Sequence, residues 1–109
     1  MKKGWMLILG LCGSAAMPAA QAQDVAAAEA LIKKSGCTKC HSVSAKKEGP
    51  SFKETAAKYK GKPDAQAALI KHLTTNPKIK VDGKEELHDA LKTKNEGEIK
   101  NVVAYILSR

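Results

Sequence analysis

Cys37-Thr38-Lys39-Cys40-His41 is the segment of this 109-residue chain whose residue types and spacing could do chemistry. Two thiols separated by two residues can each add to a vinyl group on neighbouring pyrrole edges of one haem. The histidine directly after the second thiol is then carried under the iron as an axial ligand. This is the c-type attachment pattern, and it assigns Cys37 and Cys40 to covalent haem and His41 to the iron. Two other chemistries use the same residue types. A disulfide or thioredoxin-like redox pair calls for a βαβ pattern, which the flanking sequence lacks. A zinc site could draw on Cys37, Cys40, His72 and His88, but those histidines lie far outside the usual ligand spacing.

The segment before the motif strengthens the haem reading. Lys2 and Lys3 precede an apolar run from Gly4 to Met17, and Ala20-Gln21-Ala22 supplies a small-x-small cleavage site. This is the pattern of a secretory signal peptide, residues 1–22, removed to leave a single domain over 23–109. The run is too short to span comfortably as a helix, and no basic stop-transfer flank follows it, so no permanent membrane anchor is expected. Export is the setting in which bacterial haem attachment takes place, and the expected location is the periplasm. Cleavage would also remove Cys12, Met1, Met6 and Met17, leaving two cysteines and no methionine.

The elements that must position the motif read as helices. Asp24 suits the N-cap of a helix carrying Leu31 and Ile32, and Gly36 its stop. A short helix is expected from Phe52 to Tyr59, ended by Gly61. Pro63 suits the first turn of a third helix through Ala67, Leu69, Ile70 and Leu73, terminated at Asn76-Pro77. Asn95 and Glu98 have capping-box spacing ahead of Ile99, Val102, Val103, Ile106 and Leu107, which recur at helical period. No stretch shows a strand-like period of two. The expected fold is all-α, with about four short helices. Aromatic content of 4% leaves little bulk for a core, a situation in which small domains rely on a bound cofactor. A mean hydropathy of −0.33 and 28% charged residues exclude an integral membrane protein.

Taken together, the motif after a short N-terminal helix, Gly49-Pro50-Ser51-Phe52 and the terminal helix ending Tyr105-Ile106-Leu107-Ser108 resemble class I cytochromes c. The closest resemblance is to the small bacterial c-551/c-552 group. It implies one haem c enclosed by the helices, with the N- and C-terminal helices crossing so that Leu31 and Ile32 meet Val102, Tyr105 and Ile106. It also implies that the Pro50 carbonyl accepts the ring N–H of His41, fixing the imidazole's orientation and strengthening it as a ligand.

The departure from that group is the sixth ligand, because relatives place a methionine on the distal side. Here the candidates are His88, His72, a lysine or an open position. With side chains about 100° apart on a helix, His72 lies roughly 105° from the apolar direction of Leu69, Ile70 and Leu73. If Leu87, His88 and Leu91 share a helical face, His88 lies within roughly 55° of its centre. His88 is therefore the expected distal ligand and His72 the lesser candidate, a solvated or edge residue. His88→Ala is expected to open the iron, and His72→Ala to leave it unchanged.

A six-coordinate haem implies a soluble one-electron carrier, not an enzyme; no Ser/His/Asp arrangement or other catalytic group is evident. The alternative is a haem protein that binds or senses CO or NO at an open or displaceable distal site. Lys33, Lys34, Lys39, Lys46, Lys47, Lys53, Lys58, Lys60 and Lys62 crowd the stretch around the motif. They are expected to rim the haem edge and steer a monomer onto acidic redox partner proteins. Export and the lack of interleaved aromatics argue against nucleic acid as the target of the +8 charge.

Overall fold

The computed structural model describes Gly13 and residues 23–109, so the leader assigned to residues 1–22 lies, apart from Gly13, outside the described residues. Four helices, α1 (Val25–Lys34), α2 (Phe52–Tyr59), α3 (Ala65–Thr74) and α4 (Glu96–Leu107), carry the fold. Each begins for a local reason. Asp24 accepts a hydrogen bond from the Ala27 N–H at 3.0 Å, as its N-cap position requires. Gly36, at φ 77°, supplies the left-handed residue that stops α1 and turns the chain into the motif. At α2, buried Ser51 and Glu54 form a reciprocal capping box. At α4 only half of the expected box forms. Asn95 accepts from the Glu98 N–H at 3.0 Å, while the Glu98 carboxylate takes a hydrogen bond from the Thr93 hydroxyl. Pro63 lies in the turn before α3, not in its first turn.

The terminal helices pack across each other. Ile32, Val102, Tyr105 and Ile106 are buried in one core, with Leu31 against it. Polar bonds lock the crossing. The Asp24 N–H donates to Asn101 Oδ1 at 2.9 Å, Asn101 Nδ2 returns a bond to the Asp24 carbonyl at 2.8 Å, and Tyr105 Oη donates to Glu29 at 3.0 Å.

The four helices meet the all-α expectation, and one further element lies outside it. Strands β1 (Lys78–Val81) and β2 (Lys84–Leu87) form an antiparallel hairpin in which Ile79 faces Glu86 and Val81 faces Lys84. Its two-residue turn is Asp82-Gly83, with φ of 50° and 78°. Positive φ at both positions is what a tight hairpin turn demands, and Asp-Gly meets it at little cost. The helical face invoked for Leu87, His88 and Leu91 therefore does not exist: Leu87 ends a strand, and His88 begins a loop running to Asn95.

Candidate haem site

The attachment motif wraps into one turn of 3₁₀ helix, Cys37–Lys39, in which the His41 N–H donates to the Cys37 carbonyl at 2.9 Å. That turn presents both sulfurs and the His41 ring to a single cavity of about 570 Å³, a volume in the range of cofactor sites. Both cysteines are free thiols. Burial first, then the Asp89 and Cys40 charges, push the Cys37 thiol up from its ordinary value; burial and a hydrogen bond to Glu48 do the same for Cys40. Among the described residues, no group of three or more His, Cys, Asp or Glu side chains converges to hold a metal ion.

His41 is fixed from three directions. Its Nδ1 lies 2.6 Å from the Pro50 carbonyl, the contact that the family resemblance implies. A carbonyl can only accept, so Nδ1 carries the proton and Nε2 keeps its lone pair for a metal. Phe52 stacks on the ring at 5.8 Å between centroids and is itself braced edge-on by Tyr105. Gly49 closes the third side: a Cβ there would lie 2.5 Å from His41 Cε1. The glycine is needed for room, not for a left-handed backbone.

The other two histidines line the same cavity. The ring centroids of His41 and His88 are 6.1 Å apart. Two imidazoles on opposite faces of one metal require roughly 6 Å, from two metal–nitrogen bonds of about 2 Å each plus the depth of each half-ring. His88 Nδ1 is buried with no hydrogen-bond partner. Burial, with the nearby His41 charge, lowers the His88 pKa, favouring the neutral ring a metal needs.

The loop holding His88 is tied down on both sides. The His88 N–H donates to the Pro77 carbonyl at 2.8 Å, and Asn76 Nδ2 donates to the His88 carbonyl at 2.9 Å. Further along, the Leu91 N–H bonds the Leu73 carbonyl and the Lys92 N–H bonds Ser35 Oγ, both at 2.9 Å. Asn76 adopts φ 51°, a conformation that asparagine tolerates better than most residues. So His88 reaches the cavity by a route the sequence analysis did not foresee.

His72, expected to be a solvated or edge residue, takes an edge position. It is half-buried on the cavity wall, and its ring centroid lies 4.2 Å from that of His88. On its flank of α3, His72 meets the His88 ring at the cavity wall. Sequence reasoning also missed Ile79, Val81 and Leu87 as cavity lining; Asp82-Gly83 was the signal available.

Residues 16–109 match the cytochrome c family model. The chain belongs to the cytochrome c family. Cytochrome c-551 of Stutzerimonas stutzeri is 45% identical over 73 residues, 67% of each chain. Cytochrome c-551 of Pseudomonas aeruginosa is 36% identical over 73 residues, again 67% of each. The crystal structure of the class 1 cytochrome MtoD from Sideroxydans lithotrophicus ES-1 superimposes with a TM-score of 0.76 at 48% identity, covering 80% of this chain and 97% of that one. The cytochrome's homologues are monohaem electron carriers that bind a covalently attached haem c, and haem c is the cofactor here. The room beside Gly49, the paired thiols and the imidazole spacing all fit that group.

Proposed function

We propose that this cytochrome is an exported, monomeric one-electron carrier with bis-histidine ligation. Cys37 and Cys40 would hold the haem through thioethers, and His41 and His88 would each supply an imidazole nitrogen to its iron. The observation that carries this reading is the 6.1 Å spacing of the His41 and His88 rings across a cavity that also takes both thiols. Residues 23–109 contain no methionine to compete for the distal position. When bound, the haem supplies a reversible one-electron couple. The protein's own part is to hold His41 through Pro50 and to cover the porphyrin with apolar side chains. With no sulfur ligand, the potential lies below that of methionine-ligated relatives.

Residues 1–22 act as the cleaved leader to the periplasm, and residues 23–109 form the single domain. No helix among the described residues is long and apolar enough to cross a membrane. Lys58 and Lys80 are exposed at the cavity wall, and the Lys47 ammonium donates to the Thr38 carbonyl beside the motif at 2.9 Å. Glu48, Glu54, Glu86 and Asp89 share the cavity wall, and of the nine lysines expected at the rim only Lys58 lines it. Docking onto acidic redox partners therefore rests on the excess of basic over acidic residues in the whole chain, with affinity falling as salt rises. The protein transfers electrons without being an enzyme.

The test is made on the protein purified from an exporting host. Its mass should equal residues 23–109 plus one haem, its colour should survive acid–acetone extraction, and its oxidised EPR spectrum should be low-spin bis-imidazole. A mass without porphyrin rejects the attachment, and a thioether-to-iron charge-transfer band rejects the ligand set.

A further inference from the structure

The two axial candidates are held very differently. His41 is locked through Nδ1 by the Pro50 carbonyl at 2.6 Å and stacked on Phe52. The Nδ1 of His88 has no partner, so no such bond fixes its ring. Ligating histidines are normally oriented by a bond from the nitrogen that does not touch the metal. The backbone of His88, by contrast, is clipped by both its N–H and its carbonyl to Asn76-Pro77, at the C-terminal end of α3. One turn earlier on that helix stands His72, its ring centroid 4.2 Å from the ring of His88. Two imidazoles thus hang from one backbone junction into one cavity, and the outer one lies a ring's width from the inner.

We propose that His72 is a reserve distal ligand, the pair His88 and His72 forming an exchangeable site opposite a fixed His41. The inference rests on the bis-histidine reading above. When the loosely oriented His88 ring swings off the iron, His72 takes its place. No bond other than iron–nitrogen is made or broken, and the oxidation state is unchanged. The distal position is then protected against capture by small exogenous ligands while remaining dynamic. This replaces the expectation, drawn from helical geometry alone, that loss of His88 leaves the iron open.

The experiment uses the haem-loaded exported protein and three variants: His88→Ala, His72→Phe, which keeps ring volume but removes both nitrogens, and the double variant. Optical and low-temperature EPR spectra of the ferric forms report spin state and ligand type. His88→Ala should remain low-spin bis-imidazole with g values displaced from wild type, His72→Phe should match wild type, and the double variant should become high-spin. A high-spin His88→Ala protein overturns the reserve role while leaving His88 as the resting ligand. A low-spin double variant also overturns it, because another group then takes the iron. A His88→Ala spectrum identical to wild type in every feature overturns His88 as the resting ligand and the reserve role of His72 with it. Should His88→Ala fail to fold, imidazole titration of ferric His72→Phe decides: tighter binding than wild type supports competition by His72, and unchanged binding overturns it.

Discussion

Gly49→Ala is the substitution whose effect the structure defines most sharply. The added methyl would lie 2.5 Å from His41 Cε1 and 2.8 Å from its Nδ1. Carbon atoms rest about 3.5–4.0 Å apart, so the overlap is about 1 Å against a ring already held by Pro50 and Phe52. Overpacking of that kind costs about 1–3 kcal/mol. Displacing the ring also stretches its 2.6 Å contact with the Pro50 carbonyl, adding about 1 kcal/mol. A loss of about 2–4 kcal/mol in a domain of this size lowers Tm by roughly 10–30 °C. Thermal melts of the haem-loaded protein, followed by far-UV circular dichroism and by Soret absorbance, should show that fall together with an altered axial-ligand spectrum. Gly61→Ala is the control. Nothing lies within 4 Å of its Cβ position, and its φ of 74° leaves only backbone strain, about 1–2 kcal/mol with an unchanged spectrum. A Gly49→Ala protein melting within about 3 °C of wild type, with unaltered spectra, would refute the idea that this glycine makes room for the ligand.

Ser51→Ala removes the buried hydroxyl that caps α2 and should cost about 1 kcal/mol by urea unfolding. Asn76→Gly keeps the permissive backbone but deletes the amide that holds the His88 carbonyl; ferric imidazole titration should show tighter binding than in wild type. Tyr105→Phe loses the bond to Glu29, costing about 1 kcal/mol at neutral pH. Burial, with the Glu29 bond and charge adding to it, holds the Tyr105 phenol above its ordinary value of 10.0. The fold therefore prefers the neutral phenol, and that contribution is complete below pH 10 and lost as pH climbs through the raised value. Alkaline unfolding curves of Tyr105→Phe should accordingly be flatter than those of wild type.

Much of this architecture could be read before any coordinates. Asp24, Gly36 and Asn95 mark helix ends through local backbone chemistry, and Ile99 to Leu107 repeat at helical period over about two and a half turns, so neighbours alone determine them. The hairpin escaped because its apolar alternation is confined to Ile79 and Val81; Lys84-Glu85-Glu86-Leu87 shows none, leaving the turn pair as the whole signal. His88 was singled out partly through a helix that is absent and partly by its place before the last helix, where the family's distal methionine falls. It reaches the cavity because the hairpin returns the chain to α3, where Asn76 and Pro77 hold it, contacts between residues 11 and 12 positions apart that no periodicity encodes. His72 was discounted on the same grounds: helical phase separates apolar from polar flanks, but it cannot reveal that the polar flank meets a cofactor cavity.

The seam at the start and finish of the folded domain has a consequence for how it can be rebuilt. Gln23 Nε2 donates to Ser108 Oγ at 3.2 Å, beside the Asp24–Asn101 pair. A short Gly/Ser bridge could therefore join the two ends without stretching either helix, and fresh termini could be cut at the Asp82-Gly83 turn, far along the chain from both thiols and the proximal histidine. Such a circularly permuted protein would keep its pigment while offering a new point of attachment to an electrode or a fused partner.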